Sequence, residues 1–131
     1  MDVILCHTTA DFDTLGSAVG LTRLNPGAKI VLTGGAHPGV QQFLAFHRDE
    51  FALVEAKLVD PDALGRVILV DAQSPSRFGR CAAWCTHPGV QVEIYDHHPP
   101  SADCVAGATA QIEAFCSTAT LATEKLAAER I

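Results

Sequence analysis

The stretch "DVILCHTTADFDTLGSAVGLTRL" (residues 2–24) decides the fold. It opens on an unbroken apolar run, "DVILCH", which reads as a strand buried on both faces. Its polar residues His7, Asp11 and Asp13 come next. Leu15, Ala18, Val19 and Leu24 then recur near a helical period, until Asn25-Pro26-Gly27 stops the helix. A buried strand feeding an amphipathic helix is half of a β-α-β unit. The same alternation runs on down the chain.

"AKIVLTG" (28–34) reads as a second strand and "GVQQFLAFHR" (39–48) as a second helix. "FALVEA" (51–56) reads as a short strand and "RVILVD" (66–71) as the clearest one. Residues 78–85 are expected to form a short helix, and "VQVEIYD" (90–96) a further strand. "STATLATEKLAAER" (117–130) is composed of strong helix formers behind the N-cap Ser117. The expected architecture is an α/β domain with a mostly parallel sheet of about five strands and helices on both faces. Neither a repeat nor a low-complexity tract interrupts it. The last helix carries an apolar Leu126, Ala127 and Ile131 face. It suggests a domain cut from something longer, with C-terminal domains or a homo-oligomer partner to cover it.

Composition narrows the class. The 131 residues fit one domain with a real core, and 48% are hydrophobic with few aromatics. No apolar run approaches the roughly 20 residues of a membrane span. No basic region precedes the first apolar stretch as in a signal peptide. A soluble, cytoplasmic protein is expected. The five cysteines show no zinc spacing and read as free thiols of a reducing compartment. A net charge of −6 argues against nonspecific grip on duplex nucleic acid. It leaves room for a short anionic substrate met by bound metal ions.

Three expected strands end in side chains that ligate metals. The first runs into His7-x3-Asp11-x-Asp13, the strand 66–71 ends on Asp71, and the strand 90–96 ends on Asp96-His97-His98. In an open parallel sheet, function gathers at the carboxyl ends of the strands. If these strands are neighbours, His7, Asp11, Asp13, Asp71 and His97 meet at one place. Carboxylates crowded together need cations between them. Oxygen and imidazole donors without thiolates suit Mn²⁺, Mg²⁺, Co²⁺ or Zn²⁺. Five ligands suit two ions bridged by one carboxylate. Each element alone has a plainer reading: Asp13 as a helix N-cap, Asp71 as the opening of a turn, His97-His98 as a solvated loop before two prolines. The coincidence of three strand ends favours the metal reading. His37, His47 and His87 fit no pattern, and "TGGAHPG" (33–39) reads as a turn rather than a phosphate loop.

"HTTADFDTLGSAVGL", "VILVDAQSPSRFG", "VEIYDHHP" and "FCSTATLATEKL" together resemble, in order and over nearly the whole chain, the motifs of the DHH phosphoesterase superfamily. That group includes manganese-dependent inorganic pyrophosphatases, RecJ-type exonucleases and oligoribonucleases. The resemblance implies a DHH-type N-terminal domain over residues 1–131. His7 and Asp11 would hold one of two Mn²⁺ (or Mg²⁺, Co²⁺) ions and Asp13 the other, with Asp71 bridging and His97 a further ligand. His98 would face the substrate phosphate and Asp96 would orient the histidine pair. For substrate contacts, Arg77 is the candidate phosphate partner and the helix start at Gly16 and Ser17 a candidate anion site. The implied activity is hydrolysis of a phosphoester or phosphoanhydride in a small nucleotide, short oligonucleotide or pyrophosphate-like compound.

Two departures stand out. Ala10 occupies a place where relatives often have proline. A further metal-binding aspartate and a second substrate-binding domain are expected in relatives, whereas no aspartate follows Asp103 here. The domain is therefore expected to be incomplete by itself. The wording of the second and fourth motifs is most similar to DHH domains of long bacterial proteins that also carry CBS domains and a tRNA nucleotidyltransferase or poly(A) polymerase module. A non-catalytic regulatory or nucleotide-binding role in such a protein is the alternative.

Overall fold

A computed structural model describes residues 1–99 and the backbone of 109–112. The elements are β1 (Asp2–Cys6), α1 (Phe12–Leu24), β2 (Lys29–Leu32), α2 (Pro38–His47), β3 (Arg66–Val70), β4 (Gln91–Asp96) and β5 (Thr109–Ile112). Three-residue 3-10 turns precede β3, and a longer 3-10 run, Pro75–Thr86, joins β3 to β4. The sheet is five-stranded in the order β2-β1-β3-β4-β5, and every pairing is parallel.

The near-continuous apolar strands have the reason expected of them. Val3, Leu5, Val67 and Leu69 face one side of the sheet, with Phe78, Cys81 and Trp84 of the 3-10 run packed on them. Ile4, Cys6, Ile68 and Val70 face the other, under Ala18 and Leu21 of α1. A period-2 strand covered on both faces has no polar side to show. α2 meets this core only at its edge, where Leu32 of β2 packs against both groups. It leans on α1 through Leu15, Val40 and Leu44. No helix among the described residues is long and apolar enough to cross a membrane.

Some expectations differ. The segment 51–56 is not a strand of the sheet. It contributes one bridge, Leu53 to Ile30, flanked by hydrogen bonds from Ile30 N to Ala52 O and from Val54 N to Ile30 O. The fifth strand is instead Thr109–Ile112, paired with β4. The short helix expected over 78–85 is a 3-10 run broken at Gly79, whose φ of 55° is left-handed. The helix expected over 117–130 lies outside the described residues.

Register aligns the site. Cys6 pairs with Val70, and Val70 with Tyr95. The next residue on each of these adjacent strands is therefore His7, Asp71 or Asp96. The chain goes from β1 to β2 on one side and then to β3 on the other, so the switch in strand order falls at β1, in the crevice that α/β sheets use for ligands.

A Cβ added at Gly34 would lie 2.6 Å from the Thr8 carbonyl oxygen and 2.8 Å from Thr8 Cα, both backbone atoms. Gly34→Ala should cost about 1–3 kcal/mol, the range of overpacking. Gly16→Ala, with nothing within 4 Å, should leave thermal stability unchanged or slightly raised. Equal melting temperatures for wild type and Gly34→Ala would contradict the close approach. Burial, and then the charge of Asp71, push the Cys6 thiol up to about 12; burial and then Cys81 push Cys85 up to about 11. The thiolate is the reactive form, so peptide-resolved alkylation of native protein at pH 8 should spare both, and urea should expose them. Labelling of native Cys6 at the rate of a free thiol would contradict its place in the core.

Candidate metal centre

Asp71 stands at the end of β3 with a φ of 62°. Aspartate is among the few residues other than glycine that tolerate this left-handed region. Its amide donates to the Tyr95 carbonyl at 2.9 Å, which holds the turn against β4. The carboxylate is buried, and its two oxygens meet different partners. Oδ2 lies 3.4 Å from His7 Nε2 and accepts from the Thr14 hydroxyl at 2.8 Å. Oδ1 lies 3.2 Å from His97 Nε2. One carboxylate thus joins the end of β1 to the segment after β4.

Asp11 and Asp13 reach the same place from the start of α1. The helix begins at Phe12, two residues earlier than an Asp13 cap would place it, and its N-cap is Asp11, not Asp13. Asp11 Oδ1 accepts from the Thr14 amide at 3.0 Å and lies 3.0 Å from the Thr14 hydroxyl, and Thr14 Oγ1 accepts from the Asp11 amide at 3.4 Å. Threonine here completes the reciprocal cap that glutamate or glutamine usually supplies. Asp13, in the first turn, lies with Oδ2 3.8 Å from His97 Nε2.

Thr14 was not singled out by sequence reasoning. Its fully buried hydroxyl also sits 3.0 Å from His7 Nε2, so it touches three candidate ligands at once. The local D-x-x-T spacing marks it as a cap; its contacts with His7 and Asp71 depend on strand register. Gln73 was missed too. Its amide donates to Asp96 Oδ2 at 2.7 Å and to the carbonyls of His98 and Pro99 at 3.2 and 3.0 Å.

The histidines have different surroundings. His7 Nδ1 receives the Thr9 amide at 3.3 Å and an Arg77 guanidinium N–H at 3.3 Å. Both are donors only, so Nδ1 accepts and the neutral ring carries its proton on Nε2, toward Asp71 and Thr14. A ligand role for Nε2 needs the other tautomer, with Nδ1–H donating to Thr9 Oγ1, 3.2 Å away. His98 Nδ1 pairs with the buried Asp96 Oδ1 at 2.6 Å. Asp96 thus holds the His98 ring. The His97 and His98 rings lie with centroids 4.0 Å apart.

Ligand atoms of Asp71, Asp96, His97 and His98 all fall within 4.8 Å of one another, a group able to hold a cation. Within it, Asp96 has one oxygen on His98 and the other on Gln73. A carboxylate engaged on both oxygens serves better as an outer partner than as a ligand. Asp71, His97 and His98 remain, and Asp13, Asp11 and His7 are the further donors placed beside them. This set of carboxylate oxygens and imidazole nitrogens, converging on one buried carboxylate, fits hard or borderline divalent cations. The neighbouring Cys6 is no competitor, since burial first, and then Asp71, keep its sulfur a thiol.

The helix-start anion site does not form as expected. The Leu15 amide is already bonded to the Asp11 carbonyl at 3.0 Å, and Gly16 lies a full turn inside the helix. Ser17 is buried, with its hydroxyl donating to the Asp13 carbonyl at 2.7 Å. Neither residue presents a group to the centre. Arg77 does, through His7.

An A-adding tRNA nucleotidyltransferase of Geobacter sulfurreducens is 39% identical over 128 residues, covering 96% of this chain and 14% of that protein. The chain therefore spans about one seventh of the length of that curated relative. The crystal structure of an exopolyphosphatase-related protein from Bacteroides fragilis superposes with a TM-score of 0.73 at 16% identity, over 97% of this chain and 39% of that one. At that identity the likeness concerns the fold. The sequence profile described as "DHH family, N-terminal domain" matches residues 3–131. The chain belongs to the DHH family, as its N-terminal domain.

Proposed function

We propose that this domain hydrolyses a phosphoester or phosphoanhydride at a centre of two divalent cations, Mn²⁺ or its substitutes Mg²⁺ and Co²⁺. The observation that carries the reading is the buried Asp71 carboxylate, with one oxygen toward His7 and the other toward His97. On this reading His7 and Asp11 hold one ion, Asp13 and His97 the other, and Asp71 bridges. Bound cations of this kind acidify a water molecule and neutralise charge on a phosphoryl group.

The chain's own residues do the rest. Asp96 fixes the His98 ring through its 2.6 Å contact with Nδ1. This leaves Nε2 as the ring atom to meet a phosphoryl oxygen or the leaving group. Gln73 bonds the opposite oxygen of Asp96 and so keeps that carboxylate from turning. Arg77 brings a guanidinium beside His7, at the edge of the centre, where it would meet a substrate phosphate. The further aspartate and second domain implied by the family resemblance would strengthen the grip on both metal and substrate.

A second reading has its own support, the 39% identity to part of a tRNA nucleotidyltransferase. On it, the domain binds metal or nucleotide and regulates a larger enzyme of that kind without turnover.

Calorimetric titration of Mn²⁺ into metal-free protein should give two equivalents. Asp71→Asn should abolish one and weaken the other by at least the 10–100-fold typical of losing an outer-shell partner. Asp96→Asn should keep both equivalents and lose hydrolysis of pyrophosphate or a short oligoribonucleotide by roughly 10²-fold, the lower range for a general acid. An Asp71→Asn protein that binds two Mn²⁺ as tightly as wild type would sink the bridging role. Two equivalents with nucleotide binding but no turnover of any phosphate compound would favour the regulatory reading.

A further inference from the structure

A cavity of about 190 Å³ opens beside the candidate metal centre. It is smaller than the roughly 300–1,000 Å³ of ordinary small-molecule pockets, so it admits a phosphoryl group rather than a nucleoside. Its polar lining comes from Gln73, Ser74, Ser76, Arg77 and His98, and among the described residues no carboxylate side chain lines it. That is unusual in a chain of net charge −6. Ser74 opens the 3-10 run without using its hydroxyl as a cap. Neither its hydroxyl nor that of Ser76 has a hydrogen-bond partner among the described residues. The Arg77 guanidinium carries five N–H donors, of which one goes to His7.

His98 belongs to both places. It lines the cavity, and it is one of the four residues whose ligand atoms cluster around Asp71. Its ring lies against that of His97, the candidate ligand. A phosphoryl group over the cations and another in the cavity would therefore flank one imidazole.

We propose that the cavity formed by Ser74, Ser76, Arg77 and His98 is a second phosphate subsite, which selects substrates carrying two linked phosphoryl groups. This rests on the hydrolase reading above and narrows it. The scissile phosphoryl group sits at the cations, and its neighbour is held by Arg77 and the two serine hydroxyls. Compounds with a lone phosphate then fill only half the site. Arginine suits the second half because its planar fork meets phosphate oxygens two at a time.

The test uses two probes on the Mn²⁺-loaded chain: imidodiphosphate, whose P–N–P link mimics two joined phosphates, and methyl phosphate, which has one. Calorimetry should show imidodiphosphate binding more tightly. Arg77→Gln should weaken it by roughly 10-fold or more, as for a lost charge-assisted hydrogen bond, while methyl phosphate shifts by less than about threefold. Arg77→Lys should recover part of the loss. The double variant Ser74→Ala/Ser76→Ala, which leaves the Arg77–His7 contact in place, should repeat the selective loss at smaller size. Equal weakening of both probes, or no change in either, overturns the subsite. Should wild type bind no Mn²⁺, the hydrolase reading fails by itself. Imidodiphosphate binding to the metal-free chain then decides the cavity: dependence on Arg77 upholds it as an anion site, and independence overturns it.

Discussion

The Asp71 carboxylate is the constraint around which the rest is arranged. It is buried, negatively charged and carried on a residue with a left-handed backbone, three conditions that each cost free energy in an ordinary protein. They persist here because the surroundings determine them: the amide is tied to Tyr95, one oxygen to Thr14 and His7, and the other to His97. A carboxylate placed this way has histidines on two sides and candidate carboxylate ligands, Asp11 and Asp13, close by. Repulsion among the acids is relieved by cations, and so the same geometry that strains the fold prepares it to bind them.

The fold supplies the alignment. Parallel pairing with Cys6 opposite Val70 and Val70 opposite Tyr95 makes all the contributing strands end at one level. The apolar strands are locked on both faces, by α1 on one side and by Phe78 and Trp84 on the other. The candidate ligands His7, Asp71 and His97 stand on the residues just after the strands, where the backbone can turn. Rigid strands thus set the positions, and short caps and turns set the orientations. The Asp11–Thr14 cap does both, since it starts α1 and directs a hydroxyl into the ligand set.

Much of this was legible in the sequence because strand ends and ligand types coincide. Apolar runs that stop on His7, Asp71 and Asp96-His97-His98 encode the level at which they meet, provided the sheet is parallel. What was not legible depends on contacts between distant segments. The segment "FALVEA" has strand-forming residues, yet it lies outside β2 and keeps only the Ile30–Leu53 bridge. The strand Thr109–Ile112, short and with a glutamine, gives little periodic signal. Asp13 looked like the helix cap because the apolar pattern begins after it; the reciprocal bonds with Thr14 moved the cap to Asp11. That shift carried Gly16 and Ser17 into the helix and away from any anion. Gln73 and the serines after Asp71 read as turn residues, and only the folded chain sets them beside His98.

The central claim is that Asp71 joins two cations across one carboxylate. Electron paramagnetic resonance of the protein with two equivalents of Mn²⁺ tests it directly. Ions bridged at roughly 3.5–4 Å should couple by exchange, and the six-line signal of isolated Mn²⁺ should give way to the many-line spectrum of a coupled pair. The coupling should disappear in Asp71→Asn. Two equivalents that keep separate six-line signals in wild type would contradict the account, because the carboxylate would then link the strands without linking two metals.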